Sequence, residues 1–175
     1  MVTKRSVPAR LHHTATVVRD HEATRHFYED LAGLPLVATW TEVDNEYGEN
    51  REYCHTFYGL AEGGALAFFQ FADQTDNDQF GPVARPSVYI HTALKVDADS
   101  QDAIAAAFAS DGVDSLVIDH GFCTSLYAND PDGNIVEFTV DRPDIDAIDT
   151  GQRATAHDDL KRWLHGDHTT NNLWR

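Results

Sequence analysis

Cysteine and long apolar runs are scarce in this sequence of 175 residues. Cys54 and Cys123 are its two cysteines and form no CxxC pair, which excludes a disulfide framework. Both lie in apolar, strand-like segments, which favours small buried side chains over a catalytic thiol. No apolar run approaches the roughly 20 residues of a membrane span. The basic segment MVTKRSVPAR lacks the apolar core of a signal peptide, so we predict a cytoplasmic protein.

Positive charge is also scarce, because 13 Lys and Arg residues stand against 29 Asp and Glu residues, a net charge of −16. A field of this sign repels nucleic acid and anionic membranes, so we expect neither as a partner. An excess of Asp over Lys is typical both of salt-adapted proteins and of GC-rich genomes, and composition does not separate the two. The hydrophobic fraction of 42% is that of an ordinary globular protein.

The chain contains an internal repeat. HTATVV begins at His13, and HTALKV begins at His91, 78 residues later. An amphipathic segment follows each copy, which predicts one helix over residues 21–32 and another that ends at Gly112. Three strand-like runs follow each helix, with Gly, Asn and Asp between them. These runs span residues 34–43, 51–60, 65–71, 115–119, 122–129 and 134–140.

The repeat predicts an α+β fold of two βαβββ modules, over about residues 10–72 and 87–141. A polar linker rich in Gly and Pro, residues 72–87, joins them. The modules are expected to form a cup-shaped mixed sheet with the helices outside. The tail, residues 142–175, is predicted to carry one short helix within ATAHDDLKRWLHG that packs on the body or on a second subunit.

The repeat assigns different roles to the histidine doublet at the first strand. His13, not His12, matches His91, and neighbouring strand residues point to opposite faces. In the last strand an apolar stripe of alternate residues leaves Glu137 on the other face. His13, His91 and Glu137 are therefore expected on the concave side. His12 is expected to turn to the opposite face, so that His12→Ala spares metal binding and His13→Ala loses most of it.

Two imidazoles and one carboxylate are the donor set of many non-haem Fe(II) sites, and such a set leaves positions open for substrate and O2. Without a metal, a buried carboxylate carries a large desolvation penalty. The alternative is that these three side chains are ordinary hydrogen-bonded strand residues.

The segments HFYEDLAGL and DPDGNIVEF, within the paired modules, resemble the vicinal oxygen chelate superfamily, which contains glyoxalases, bleomycin resistance proteins and extradiol dioxygenases. The resemblance covers about residues 10–141. It implies a cup with a divalent metal bound by His13, His91 and Glu137. A polar fourth ligand is frequent in the isomerases of this group. Alignment of GGALAFFQF on DGNIVEFTV places Phe68 opposite Glu137, with Gln70 the nearest polar residue, which indicates a site of three ligands.

The resemblance is strongest to small extradiol dioxygenases. It implies that Tyr127, ten residues before Glu137, and His120 act near the open metal position. A strand tyrosine is equally typical of packing, and a histidine after a turn is equally typical of a solvated loop. His55, Phe68 and Gln70 are further candidates for the substrate pocket.

Three functions are therefore open. The first is an Fe(II)-dependent dioxygenase that cleaves a catechol-like diol with O2. The second is a glyoxalase-like lyase or isomerase, or a thiol transferase, with Mn(II), Zn or Ni. The third is a non-catalytic protein that binds a small molecule such as an antibiotic. A homodimer is expected from the resemblance.

Overall fold

The computed structural model describes residues 9–44, 50–81, 89–167 and 169–173. The described chain divides into two compact units. The first contains the described residues up to 81 together with Asp130–Asn134, and the second contains residues 89–129 and those from 135 onward. Each unit is one βαβββ module, as the repeat predicts. Residues 82–87 of the predicted linker lie outside the described residues.

The first unit contains a four-stranded mixed sheet in the order β1-β4-β3-β2. Strand β1 (His13–Val17) pairs in parallel with β4 (Ala65–Phe71). Strand β3 (Arg51–Gly59) pairs antiparallel with β4 and with β2 (Leu36–Asp44), which forms an edge. Two further elements accompany the sheet, namely the helix after β1 and a seven-residue helix α2 (Gln74–Phe80) within the predicted linker.

The second unit repeats this topology in the order β5-β8-β7-β6. Its elements are β5 (His91–Lys95), α3 (Ala98–Asp111), β6 (Ser115–Asp119), β7 (Cys123–Asn129), β8 (Ile135–Asp141) and α4 (Ile145–Leu164). The predicted strands are confirmed to within two residues. The tail helix is longer than expected, because α4 begins well before ATAHDDLKRWLHG and contains 20 residues.

The predicted helix over residues 21–32 is present but is not α-helical throughout. Asp20 caps α1 (His21–Arg25) by accepting hydrogen bonds from the N–H groups of Glu22 and Ala23. A π-helix, His26–Leu31, continues α1. Its wider turn is visible where the N–H of Ala32 donates to the carbonyl of Phe27, five residues earlier.

One face of each sheet packs against its helix and forms the core. In the first unit Phe68 packs on Tyr28, with ring centroids 4.7 Å apart. In the second unit Phe138 packs on Phe108 of α3 at 5.9 Å, and both of these side chains are fully buried. The apolar stripe of β8 thus faces the helix as predicted. The opposite faces of the two sheets carry the polar candidates.

The strand registers correct the alignment of the two modules by one residue. His13 lies opposite Ala65, and His91 lies opposite Ile135, so that Ala67 is the counterpart of Glu137. The turns agree, because Gly63 and Gly133 both have φ near +86°, at 87° and 85°. The prediction that Phe68 stands opposite Glu137 is therefore wrong.

The turn between β7 and β8 is built around a buried carboxylate. Asp130 accepts four hydrogen bonds, from the N–H groups of Asp132 and Asn134, the side-chain amide of Asn134 and the hydroxyl of Tyr28. Asp132 in turn accepts from Arg19, whose Nη1 lies 2.9 Å away. These contacts join the two segments that carry the family resemblance, HFYEDLAGL and DPDGNIVEF.

His21 at the start of α1 is expected to make folding depend on pH. Its Nε2 lies 3.1 Å from the carbonyl oxygen of Cys54, and burial lowers the pKa of the imidazole below 6.5. A neutral histidine of this kind stabilises the fold above the unfolded pKa, and this contribution is lost as the pH falls through the folded pKa. His21→Ala should therefore lower the free energy of unfolding more at pH 7.5 than at pH 5.5, as urea denaturation would show.

The exposed His157 on α4 provides the control for this experiment. His157→Ala should leave the difference in stability between the two pH values as it is in the parent protein. An equal loss of stability at both pH values in His21→Ala would contradict the assignment of a neutral, hydrogen-bonded imidazole at this position.

Among the helices of the described residues, we find none with the length and apolar character that crossing a membrane requires.

Candidate functional site

His91 and Glu137 meet on the face of the second sheet that points away from α3. They lie on the parallel neighbours β5 and β8, and His91 Nε2 is 2.9 Å from Glu137 Oε2. The Glu137 side chain is only 8% exposed, whereas that of His91 is 30% exposed. An almost buried carboxylate therefore faces a more accessible imidazole.

Tyr127 extends this pair along the same face. It lies directly opposite Glu137 in the register of β7 and β8, and its ring meets that of His91 edge to face at 5.8 Å. Burial, followed by the hydrogen bond to Glu137 and the charge of that carboxylate, raises the pKa of Tyr127 to about 12. The phenol therefore keeps its proton at neutral pH.

His120, which follows β6, completes the chain of hydrogen bonds, since its Nε2 lies 2.9 Å from the Tyr127 hydroxyl. One of these two atoms donates and the other accepts, according to the tautomer of His120. The second unit thus brings together four predicted site residues: His91, His120, Tyr127 and Glu137.

His13 lies on the corresponding face of the first sheet, as the repeat predicts. Its ring meets Phe57 edge to face at 5.7 Å, much as His91 meets Tyr127. His12 does not turn away, because its Nδ1 lies 2.7 Å from Nδ1 of His13. The expectation that His12 takes the opposite face is wrong, since β1 begins only at His13 and strand alternation does not extend to the residue before it.

The three candidates for the substrate pocket divide between the two faces of the first sheet. His55 shares the face of His13, and it stacks on Phe69 at 3.6 Å between ring centroids. Burial lowers the pKa of His55, and its Nε2 has no hydrogen-bond partner among the described residues. Phe68 and Gln70 belong to the helix side, so their prediction as pocket residues is wrong. Phe68 is in the core, and Gln70 binds the backbone of Arg19 and His21.

The two units thus offer different chemistry at equivalent positions. The second presents a phenol and a carboxylate at Tyr127 and Glu137, where the first has the unreactive side chains of Phe57 and Ala67. The sequence did not identify Phe57 as the counterpart of Tyr127. The strand register identifies it, because Phe57 pairs with Ala67 as Tyr127 pairs with Glu137. A fourth ligand from β4 at this position is excluded, because Ala67 has no donor atom.

The His91–Glu137 pair fits a divalent metal. Imidazole nitrogen and carboxylate oxygen are donors that zinc, manganese and iron accept. Two such donors at about 2.1 Å from one ion, at a right angle, are about 3 Å apart, close to the 2.9 Å between Nε2 and Oε2. Across residues 9–44, 50–81, 89–167 and 169–173, no three His, Cys, Asp or Glu side chains lie together as a metal-binding group. His91 and Glu137 therefore supply two donor atoms, in the form of an imidazole–carboxylate ion pair.

Cys54 and Cys123 are both free cysteines. Cys123 is buried and lies 3.7 Å from the Ser125 hydroxyl, and burial raises the pKa of the half-buried Cys54 thiol. A raised thiol pKa opposes formation of the nucleophilic thiolate.

Comparison with known families agrees with the fold and with the residue pattern. The sequence model of the glyoxalase/bleomycin resistance protein/dioxygenase superfamily matches residues 10–138. The chain therefore belongs to this superfamily, the vicinal oxygen chelate group. A search of curated proteins finds no match.

Solved structures show the same fold at low sequence identity. A glyoxalase/bleomycin resistance protein/dioxygenase domain from Frankia sp. EAN1pec has 16% identity and a TM-score of 0.56, over 79% of this chain and 95% of that one. The fosfomycin resistance protein FosX from Listeria monocytogenes has 15% identity and a TM-score of 0.56, over 79% and 98%. FosX from Mesorhizobium loti has 20% identity and a TM-score of 0.51, over 82% and 96%.

Proposed function

We propose that this protein is a metal-dependent enzyme that acts on a small molecule, with His91 and Glu137 as metal ligands in the second unit and His13 as a candidate ligand in the first. The reaction we propose is extradiol-type cleavage of a catechol-like diol by O2, with Fe(II) as the metal. The observation that carries the proposal is the continuous contact from His120 through Tyr127 to Glu137 and His91. In this contact the His120 imidazole and the Tyr127 phenol lie beside an imidazole–carboxylate pair, which supports the proposal.

His13 is proposed as a candidate metal ligand on the evidence of its own unit. It occupies in β1 the position that His91 occupies in β5, and it shows the same edge-to-face contact with an aromatic residue of the third strand. Its side chain is exposed on the face away from α1, so an imidazole nitrogen is available to a ligand. A metal ion held by few protein ligands keeps positions open for a chelating substrate.

The side chains around the donor pair have distinct proposed roles. When bound, a divalent metal supplies Lewis acidity, and Fe(II) also supplies the redox chemistry that O2 requires. A catechol must lose protons as its oxygens become ligands, and imidazole as a class exchanges protons near neutral pH. The His120 imidazole is the proposed acceptor, and the Tyr127 hydroxyl is the proposed donor to a substrate oxygen. His55, on the face of His13, is a proposed pocket residue.

The test is oxygen uptake by protein loaded anaerobically with Fe(II) and supplied with a panel of catechols. We expect uptake coupled to the absorbance of a ring-opened product with at least one diol. Tyr127→Phe should lower kcat by about 100-fold, within the range of one acid–base group. Tyr53→Phe is the matched control, because it removes a surface hydroxyl that contacts Glu42. No uptake with any diol would contradict the dioxygenase proposal.

The second candidate is a redox-neutral reaction of the same metal site, namely that of a glyoxalase-like lyase or isomerase or of a thiol transferase. The structural neighbours favour it, because FosX from Listeria monocytogenes has been crystallised with Mn(II) and sulfate, and a mutant with Mn(II) and 1S,2S-dihydroxypropylphosphonic acid. Anaerobic incubation of the Mn(II)-loaded protein with fosfomycin, with and without a thiol, separates the two candidates. Loss of fosfomycin, followed by phosphorus NMR, would favour the redox-neutral reaction.

A non-catalytic binding protein is the third candidate, since the superfamily name includes bleomycin resistance proteins. Metal analysis of protein purified without chelator distinguishes this candidate, because a binding protein would contain no metal. The ligand binding of such a protein would also survive His91→Ala. Zn and Ni are the other metals predicted from the sequence, and metal analysis of the same preparation would detect them. The expectations of a homodimer and of a cytoplasmic location stay predictions.

A further inference from the structure

His120 lies in the short loop, residues 120–122, that connects β6 to β7. Gly121 has φ near +82°, which a hairpin loop of three residues commonly requires of its glycine. The N–H groups of the loop have local acceptors. That of His120 donates to the carbonyl of Cys123 at 2.9 Å, and that of Gly121 donates to the Asp119 carboxylate at 2.7 Å.

The carbonyl groups of the same loop accept hydrogen bonds from Arg142, the residue that follows β8. Nη1 of Arg142 donates to the carbonyl of Gly121 at 3.0 Å, and its backbone N–H donates to the carbonyl of Phe122 at 3.3 Å. The Asp144 carboxylate accepts from Nε and Nη2 of the same guanidinium, at 2.9 and 3.2 Å. Arg142 is therefore held between a carboxylate and the loop.

The first unit shows which part of this contact belongs to the repeat. In the corrected register Ala72 is the counterpart of Arg142, and its N–H donates to the carbonyl of Glu52 at 2.8 Å. The backbone hydrogen bond from Arg142 to Phe122 is thus repeated in both units. The guanidinium is an addition to the unit that contains His120, because the side chain of Ala72 has no donor atom.

A second contact reaches the loop from residues near the end of the chain. Nδ2 of Asn172 lies 3.5 Å from the carbonyl oxygen of His120, at the outer limit of a hydrogen bond. Asn172 is half-buried, whereas its neighbours Asn171 and Leu173 are exposed. Both contacts come from residues beyond the part of the chain, residues 10–138, that the superfamily model matches.

We propose that Arg142 is a positioning residue, which holds the loop so that the His120 imidazole stays within 2.9 Å of the Tyr127 hydroxyl. A charge-assisted hydrogen bond to the loop backbone limits its movement. A displacement of about 1 Å is enough to remove a catalytic group from its working geometry. The hydrogen bond stands on the described contacts, whereas its use in catalysis rests on the proposed function, in which His120 accepts a proton.

NMR of the metal-free protein tests the contact without any assay of activity. In Arg142→Ala, hydrogen exchange of the His120 N–H should become about 3- to 10-fold faster, the range of one lost hydrogen bond. The nuclear Overhauser effect between the rings of His120 and Tyr127 should weaken. The variant should fold, because the Arg142 side chain is 44% exposed. Arg153→Ala, at an exposed position of α4, is the matched control and should change neither signal.

Two further variants separate the guanidinium from its surroundings. Arg142→Lys should show exchange between that of the parent and that of Arg142→Ala, because an ammonium group can donate to the Gly121 carbonyl. Asn172→Ala should accelerate exchange less than Arg142→Ala does, and Asn171→Ala should leave it unchanged. Parent-like signals in Arg142→Ala, or exchange in Arg142→Lys as fast as in Arg142→Ala, would overturn the proposal. A larger effect of Asn172→Ala would also overturn it.

The kinetic consequence is measured with the diol that gives oxygen uptake in the Fe(II)-loaded protein. Arg142→Ala should lower kcat by about 10-fold and change KM by less than about 2-fold, since the loop orients His120 and Arg142 is not a proposed ligand. A parent-like kcat together with a disordered loop would overturn the positioning role. Absence of uptake in the parent protein would instead count against the proposed function, and the NMR signals would still decide whether Arg142 holds the loop.

Discussion

Replacement of Glu137 by glutamine is expected to weaken Mn(II) or Fe(II) binding by more than 100-fold. Glutamine keeps the volume of the buried side chain but removes the negative charge, which is the main attraction that this position offers a divalent cation. The same change leaves an amide that can still accept from Tyr127 and His91, so the metal-free fold should persist. Isothermal titration with Mn(II) measures the loss, and a thermal melt of the metal-free protein checks the fold.

Glu52→Gln provides the control, because Glu52 is exposed on β3 and its loss removes the same amount of charge from the protein. This variant should bind metal as the parent protein does. If Glu137→Gln and Glu52→Gln gave equal affinities, the contribution of Glu137 would be only that of general negative charge, and the proposed donor pair would be refuted.

Asp130→Ala is expected to give the largest loss of stability, about 3 to 5 kcal/mol, because each buried donor left without an acceptor costs about 1 to 3 kcal/mol. Asp130 accepts from two backbone N–H groups, the Asn134 amide and the Tyr28 hydroxyl, and it is only 5% exposed. A loss of this size is a large fraction of the stability of a typical domain, about 5 to 15 kcal/mol.

A graded series tests this account by urea denaturation. Tyr28→Phe removes one of the four hydrogen bonds and keeps the ring packed on Phe68, so it should cost about 1 kcal/mol. Asp102→Ala, on the exposed face of α3, should change the stability by less than about 0.5 kcal/mol. A loss in Asp130→Ala no greater than that in Tyr28→Phe would show that the backbone of the turn does not depend on the carboxylate.

The sequence predicted the strands well, because the signals for strands are local. Alternation of apolar residues identifies β8, and Gly or Asp residues punctuate most strand ends. The π-helix and α2 were not predicted, since a widened helical turn has no periodic signature and QTDNDQF has no apolar stripe. The length of α4 was underestimated because its first half, IDAIDTGQRA, is mostly polar and contains a glycine.

The site was predicted only in part, because the sequence signals that indicate strand faces are local. His91, Glu137 and Tyr127 lie on one face of the second sheet and His120 contacts Tyr127, while the roles proposed for these residues stay predictions. Phe68 and Gln70 were misplaced because ALAFFQF is nearly continuous in apolar residues, so alternation does not fix which side chains face the helix. Matching Gly63 with Gly133, both at positive φ, gives the correct register, and the residue pattern alone does not reveal the backbone angle.

The turn Asp130–Asn134 belongs to the first unit although the strands it connects belong to the second. The gene therefore cannot be divided at the linker into two self-sufficient halves. A fragment that stops at residue 86 would bury the Tyr28 hydroxyl without its carboxylate and leave Arg19 without Asp132. Separately expressed halves should accordingly be recovered in folded form only when they are produced together, as complementing fragments.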